Sequence, residues 1–285
     1  MKIAVIGADG QLGFDLMKLE PKAIGLTIKE IDITDLEKSQ QVLTAIKPEV
    51  VINTAAYHHV DDCEDHPGPA FQVNAIGAGH LAKICNSIHS SLVHISTDYV
   101  FSGDKGAPYS EEDIPNPQST YGVSKLAGEQ MISYLLPQHF IVRTSGLYGT
   151  AGCLGKGGTN FIEGMVKRAK SGQPLKVVND EIIGPTYTRD LAEKILEIID
   201  TNSYGIYHIT NRGQCSWYEF TLKIFELMKL KVAVSPTTGA EFKAKAKRPT
   251  YSVLAHEHLQ RLGLDNIRSW QEALQAYLAE KGYIA

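Results

Sequence analysis

Ile3-Ala4-Val5-Ile6-Gly7-Ala8-Asp9-Gly10-Gln11-Leu12-Gly13 is the stretch whose reading decides the fold. Its first four residues form a short unbroken apolar run with β-branched side chains, the pattern of a strand buried on both faces. Leu12, Leu16 and Leu19 then follow a helical rhythm, so the glycines sit in the turn between a strand and a helix. A phosphate-binding turn requires that context. Gly7 makes the tight turn, Gly10 lets the backbone approach a pyrophosphate, and Gly13 lets the helix pack near the strand. The helix N-terminus adds unpaired N–H groups and a partial positive charge. The spacing is Gly-x-x-Gly-x-x-Gly rather than Gly-x-Gly-x-x-Gly, and at a first strand–helix turn it predicts a dinucleotide.

Downstream, the alternation continues. Residues 23–27 read as a second strand, and Asp35 or Thr34 caps a helix over 36–46. The second strand ends in Thr27 with Lys29 close by, and no carboxylate stands where one would grip the ribose hydroxyls. That pattern leans toward a 2′-phosphate and NADPH, although Glu30 and Asp32 are near enough to serve NADH. Asp32 and Ile33 are expected beside the adenine. Residues 48–53 form a third strand, and the small residues of Thr54-Ala55-Ala56-Tyr57 let a ligand lie over the backbone at its carboxyl edge. His58, His59 and His66 lie near Asp61, Asp62, Cys63 and Glu64 but lack a His-x-x-x-His or Cys-x-x-Cys frame. The stretch therefore reads as a polar helix start, and no metal site is expected.

A helix over 71–87 leads to a strand at 92–95, which ends in Ser96-Thr97-Asp98-Tyr99-Val100-Phe101. Hydroxyls there stand where a substrate carbonyl is hydrogen-bonded; capping a turn is their other use. Next comes Tyr121-Gly122-Val123-Ser124-Lys125, whose tyrosine and lysine share one side of a helix. If that side faces a cleft, the ammonium beside a positively charged oxidised nicotinamide is expected to lower the phenol's pKa. Residues 140–143 give another strand. The glycine-rich segment 151–158 reads as a mobile loop.

After Gly149 the composition changes: Asn160 or Thr159 caps a helix, strands follow at 175–178 and 205–210, and the last helix carries a stripe of Trp270, Leu274, Tyr277 and Leu278 that reads as core. The division expected is a dinucleotide domain over 1–150, with 180–210 returning to it, and a substrate domain over 151–179 and 211–285. Lys243, Lys245, Lys247 and Arg248 make a locally basic segment, either a solvated face or a means of meeting a diphosphate, with the forked Arg248 the foremost candidate.

The net charge of −4 argues against a general nucleic-acid binder. Four widely spaced cysteines form no disulfide framework, and the opening apolar run is too short for a signal core or a membrane span, so a cytoplasmic protein is expected.

Taken together, Gly7-x-x-Gly10-x-x-Gly13, Asn53-Thr54-Ala55-Ala56, the Ser96–Phe101 string and Tyr121-x-x-x-Lys125 resemble the extended short-chain dehydrogenase/reductase family. Within it, Tyr121-Gly122-x-Ser124-Lys125-Leu126-x-Gly128-Glu129, Arg143-Thr144-Ser145, Gly184-Pro185-Thr186 and Arg248-Pro249 are most similar to the dTDP-4-dehydrorhamnose reductase branch, over nearly the whole chain. The resemblance implies a Rossmann-type doubly wound parallel sheet with a smaller mixed α/β C-terminal substrate domain. It also implies reduction, by NADPH or NADH, of the C4 ketone of a dTDP-linked 4-keto-6-deoxy sugar. Carried over by motif, Tyr121 donates the proton, Lys125 lowers its pKa and holds the nicotinamide ribose, and Thr97 tunes the tyrosine or binds the ketone. Gly7, Gly10, Gln11, Leu12, Gly13, Asp32, Ile33, Ala55, Ala56, Tyr57 and Ser96 would line the cofactor, and Thr97, Asp98 and Arg248 the substrate.

One departure is Gly146, where relatives often place a tryptophan; it leaves the sugar-stacking contact and the exact sugar open. No C-terminal acidic cluster is assigned to the magnesium that some relatives hold at a dimer contact, and a homodimer is compatible with the resemblance. Two alternatives stand beside this reading: a nucleotide-sugar epimerase or dehydratase on the same scaffold, and a non-catalytic NADP-binding subunit resembling the beta subunit of methionine adenosyltransferase.

Overall fold

The computed structural model describes residues 1–152, 157–172 and 174–284, so the loop expected at 151–158 falls partly outside the described residues. The first half alternates as expected: β1 (Ile3–Ile6), α1 (Gln11–Leu19), β2 (Ile24–Leu26), α2 (Leu36–Ile46) and β3 (Val50–Asn53). Then come α3 (Val60–Asp65), α4 (Pro67–Phe71), a π-helical turn (Gln72–Gly77), α5 (Ala78–Ile88), β4 (Ser91–Thr97), a 3-10 turn (Asp98–Val100), α6 (Thr120–Leu135) and β5 (His139–Thr144). The second half holds β6 (Leu147–Tyr148), α7 (Phe161–Lys170), β7 (Leu175–Val178), β8 (Ile182–Ile183), β9 (Thr186–Tyr187), α8 (Thr188–Ile199) and β10 (Gly205–His208). It closes with β11 (Cys215–Ser216), α9 (Trp217–Leu227), β12 (Val234–Thr237), α10 (Gly239–Phe242), α11 (Glu257–Arg261) and α12 (Trp270–Glu280).

Six strands form one sheet in the order β10-β5-β4-β3-β1-β2, and every neighbouring pair is parallel. Helices cover both faces. Leu12 and Leu16 of α1 pack with Leu191, Ile195 and Ile198 of α8 on one side. Leu43 of α2, Leu81 and Cys85 of α5 and Ile132 of α6 pack on the other. Each such burial stabilises by roughly 1.5–3 kcal/mol, which is why β1 is apolar throughout and β3 is apolar up to Asn53 at its end. Residues 188–208 thus rejoin the first sheet through α8 and β10. A separate core gathers Ile162 and Val166 of α7, Phe220 and Ile224 of α9, and Trp270, Leu274, Tyr277 and Leu278 of α12, the stripe expected there.

The strand order reverses between β1 and β3, and in open parallel sheets a ligand crevice opens at that point, beyond the carboxyl ends. Local signals set the ends of the helices around it. Asp35 caps α2 by accepting from Lys38 N–H, and Ser119 caps α6 by accepting from Gly122 N–H. Two elements differ from expectation. The helix over 71–87 is interrupted by the π turn, where Asn74 is drawn to Tyr57 N–H (2.8 Å) and to Ser124 Oγ (2.9 Å). The strand over 92–95 continues to Thr97, because β5 runs on to Thr144 and pairs with it. Among the described residues no helix is long and apolar enough to cross a membrane.

Candidate active site

A cavity of about 770 Å³ lies over the switch point. Its floor is the glycine turn. Gly7 holds φ +78, and a Cβ there would fall 2.5 Å from Thr54 Oγ1, so only glycine lets β1 and β3 converge. A Cβ on Gly13 would fall 2.1 Å from the Gly7 carbonyl, so this glycine works underneath the turn rather than on the cavity. Gly10 is the N-cap of α1 and has no side chain to bond the first N–H groups, which leaves them for an anion. Gly10, Gln11, Leu12, Ala55 and Ala56 all line the cavity, and Gln11 also accepts from Gly149 N–H at 3.1 Å. The cradle therefore fits a dinucleotide diphosphate.

The carboxyl end of β4 forms the next wall, with Ser96, Thr97 and Asp98 lining the cavity. Ser96 is already engaged: its hydroxyl donates to Glu129, which also takes Arg143 Nη2 at 2.7 Å in a buried ion pair. Asp98 is 3% exposed and accepts from Ser145 Oγ (2.8 Å), Ser252 Oγ (2.5 Å) and Thr97 Oγ1 (3.1 Å). Burial still pushes its carboxyl up, against those hydrogen bonds. The Tyr121 hydroxyl faces Thr97, which acts to lower its pKa, and its ring stands edge-on to Tyr99 at 5.8 Å.

Tyr121 and Lys125 both line the cavity, and the chain's own groups do not acidify the phenol. Burial raises the Tyr121 pKa above its ordinary value, only partly offset by Thr97, and Asp98 adds to the rise. The ammonium is directed elsewhere: Lys125 Nζ donates to the Ile95 carbonyl at 2.6 Å and lies 3.0 Å from His94 Nε2. Lys125 is 1% exposed, and burial brings it down to about 8. Helical spacing placed the two side chains on one face; it did not direct the lysine's terminal atoms.

Across the cavity stand residues from the second half, which the sequence reading had not assigned: Phe161 and Met165 of α7, Lys176 of β7, Glu181 and Trp217. Phe161 and Trp217 pack with ring centroids 4.4 Å apart, and burial raises the Glu181 carboxyl beside them. Gly146 holds φ +56, a conformation unfavourable for a tryptophan, and the Trp217 ring comes within 3.6 Å of where its Cβ would be. An indole thus reaches this place from α9. Arg248 lines the same wall, with its fork on Asp61 of α3 at 3.2 Å through both Nη1 and Nη2. Of the other basic residues, Lys245 bonds Asp65 and Lys247 bonds Gln118.

The description of the RmlD substrate binding domain matches residues 1–282. The chain belongs to the RmlD family. It is 41% identical to the spore coat polysaccharide biosynthesis protein SpsK of Bacillus subtilis, with 98% of each chain covered. A solved dTDP-4-dehydrorhamnose reductase from Clostridium acetobutylicum matches with a TM-score of 0.94 and 42% identity, over 98% of this chain and 99% of that one. The Bacillus anthracis dTDP-4-dehydrorhamnose reductase, solved in complex with NADP, matches with a TM-score of 0.94 and 41% identity, over 98% and 100%.

In this RmlD-family chain, Asp32, Ile33 and Tyr57 do not line the cavity. Asp32 accepts from Thr34 N–H at 3.0 Å, Ile33 is buried in the core under α2 and α5, and the Tyr57 hydroxyl donates to Asp62. Asp61 and Asp62 lie in the first turn of α3, the polar helix start read from the sequence. His94 escaped notice because a single histidine inside an apolar strand gives no signal of what stands behind it.

Proposed function

We propose that this chain reduces the C4 ketone of dTDP-4-dehydro-L-rhamnose to dTDP-L-rhamnose, with Tyr121 as proton donor and NADPH or NADH as reductant. The observation that carries this reading is one cavity lined by the glycine turn, Thr97, Tyr121 and Lys125. It is supported by relatives bearing the name dTDP-4-dehydrorhamnose reductase, among them one from Aggregatibacter actinomycetemcomitans, 37% identical over 96% of this chain and 97% of its own. Gly7, Gly10, Gln11, Leu12, Ala55 and Ala56 hold the dinucleotide. After β2, Lys29 favours NADPH, while the Glu30 carboxylate, which accepts from Thr27 N–H at 2.8 Å and from Thr27 Oγ1 at 2.6 Å, stands there to serve NADH. When bound, the reduced nicotinamide supplies the hydride.

A phenol whose pKa is raised by burial stays protonated at working pH, so Tyr121 enters turnover as a loaded acid. Thr97 orients its hydroxyl, and Lys125 holds the nicotinamide ribose and offsets the phenolate once the proton has gone. Thr97 and Asp98 meet the sugar, and Arg248 lies toward the diphosphate. In domain terms, 1–150 with 180–210 serve the cofactor, and 151–179 with 211–285 serve the sugar nucleotide.

The test is oxidation of NADPH and NADH against a panel of dTDP- and UDP-4-keto sugars. Stoichiometric consumption with the dTDP-4-keto-6-deoxy sugar is expected; no oxidation with any of them, or purified protein carrying tightly held NAD, refutes the assignment. Tyr121→Phe should lose several orders of magnitude in turnover at nearly unchanged cofactor affinity.

A further inference from the structure

His94 lies on β4 opposite Asn53 of β3 and is 1% exposed. Its ring has a neighbour at each nitrogen: Asn53 Nδ2 is 3.0 Å from Nδ1, and Lys125 Nζ is 3.0 Å from Nε2. Burial pushes the imidazole well below its ordinary range, so the ring is neutral, with one N–H and one lone pair. The amide decides which nitrogen carries the proton. The Asn53 carbonyl accepts from the Ala55 backbone N–H at 3.1 Å, which turns its NH2 toward the ring. Nδ1 therefore accepts, and the proton sits on Nε2, facing the lysine.

An ammonium has three donors and no acceptor, so this N–H finds nothing to bond on a charged Lys125, whereas a neutral amine offers its lone pair. The opposite tautomer suits the ammonium but sets Nδ1–H against the Asn53 NH2. Only the amine form satisfies Ala55, Asn53, His94 and Lys125 together. Lys125 donates to the Ile95 carbonyl in either form.

We propose that His94 is a positioning residue for the ketone reduction: locked by Asn53, it makes Lys125 a group that gives up and regains a proton during turnover instead of a fixed cation. The inference rests on the roles given above to Tyr121 and Lys125. Burial acts in the same direction and brings Lys125 to about 8, against the pull of Glu129. Among the described residues, the other charged group that acts on the lysine is Glu129 on its own helix, held by Arg143 of β5, while Tyr121 and Asp98 line the same cavity. The proton balance closes: Tyr121 gives its proton to the ketone oxygen, the phenolate is reprotonated at the expense of the Lys125 ammonium, and the amine left behind is the form that His94 Nε2–H matches. Solvent then returns a proton to the amine.

The test is NMR of histidine- and lysine-labelled protein from about pH 6 to about pH 10, with the two signals assigned through His94→Gln and Lys125→Met. Above the Lys125 midpoint, His94 is expected as the Nε2–H tautomer. In His94→Gln, whose amide can turn its carbonyl to the ammonium, the midpoint should rise by about one pH unit, roughly tenfold in the proton equilibrium, and the alkaline limb of kcat should move with it. A ring protonated on Nδ1 throughout the range overturns the proposal and needs no variant. A Lys125 midpoint unmoved in folded His94→Gln overturns it as well. Both readouts are independent of turnover, whereas wild-type turnover in Tyr121→Phe would remove the reduction mechanism and leave the tautomer untouched.

Discussion

Replacing Glu129 by glutamine would strip one charge from an ion pair whose side chains are 2% (Arg143) and 3% (Glu129) exposed. The guanidinium bonds this carboxylate through Nε at 3.0 and 3.2 Å and through Nη2 at 2.7 Å, so the variant leaves a buried cation without its counter-charge. Breaking such a pair costs about 3–5 kcal/mol. Glutamine keeps the shape and an acceptor, which places Glu129→Gln near 3 kcal/mol on that scale, a large share of a total stability of roughly 5–15 kcal/mol. Arg143→Met should cost as much, from the other side. The double variant Glu129→Leu/Arg143→Met removes both charges together. Its main residual defect is the Ser96 hydroxyl without its acceptor, worth about 1–3 kcal/mol. The double variant should therefore unfold at a higher urea concentration than either single one, read as circular dichroism midpoints on the four proteins. A double variant as destabilised as the sum of the singles would refute the desolvation argument. Glu129→Gln should also let Lys125 titrate below 8, because a negative neighbour that raises it is gone.

Gly13→Ala drives a methyl to 2.1 Å from the Gly7 carbonyl and 2.7 Å from Ala8 Cα, both backbone. Overpacking of this kind costs about 1–3 kcal/mol, and NADPH affinity by fluorescence titration should fall at least about tenfold; unchanged affinity would show that the turn does not carry the cofactor. Lys125, at about 8 in the folded chain against an ordinary 10.5, binds more proton when unfolded. Its burial therefore opposes folding by about 3 kcal/mol below pH 8, and the opposition fades as pH climbs toward 10.5. The stability of Lys125→Met relative to wild type should be greatest below pH 8 and decline above it; a flat difference in melting temperature across that window contradicts the shift. Arg248→Lys gives up the fork on Asp61, so KM for the nucleotide sugar should rise about tenfold with KM for NADPH held; equal rises in both would move Arg248 off the sugar side.

Where chemistry is local, the sequence was readable. The Gly7 turn, the Asp35 cap and the core stripe of α12 follow from residues within a turn or two of one another. Long-range assembly was not readable in that way. Glu129 and Arg143 both stand in the motifs that carried the resemblance, yet nothing in one dimension pairs a helix carboxylate with a strand guanidinium. The far wall from Phe161 to Trp217 belongs to elements whose apolar residues look like core, because most of their neighbours are core. The phenol's surroundings were unreadable for a related reason: spacing gives a shared face but neither burial nor the direction of the lysine's last bond, and in the chain's own groups burial dominates.

Asn74 sits in a winding that carries more residues per turn than an ordinary helix, and from there it ties the Tyr57 backbone to Ser124 on α6. Since each residue advances an α-helix by roughly 100°, excising one residue just before Asn74 would restore regular winding and swing that amide off both anchors. The segment should thus accept many replacements but no shortening: a deletion there tidies the backbone and disconnects the reaction centre.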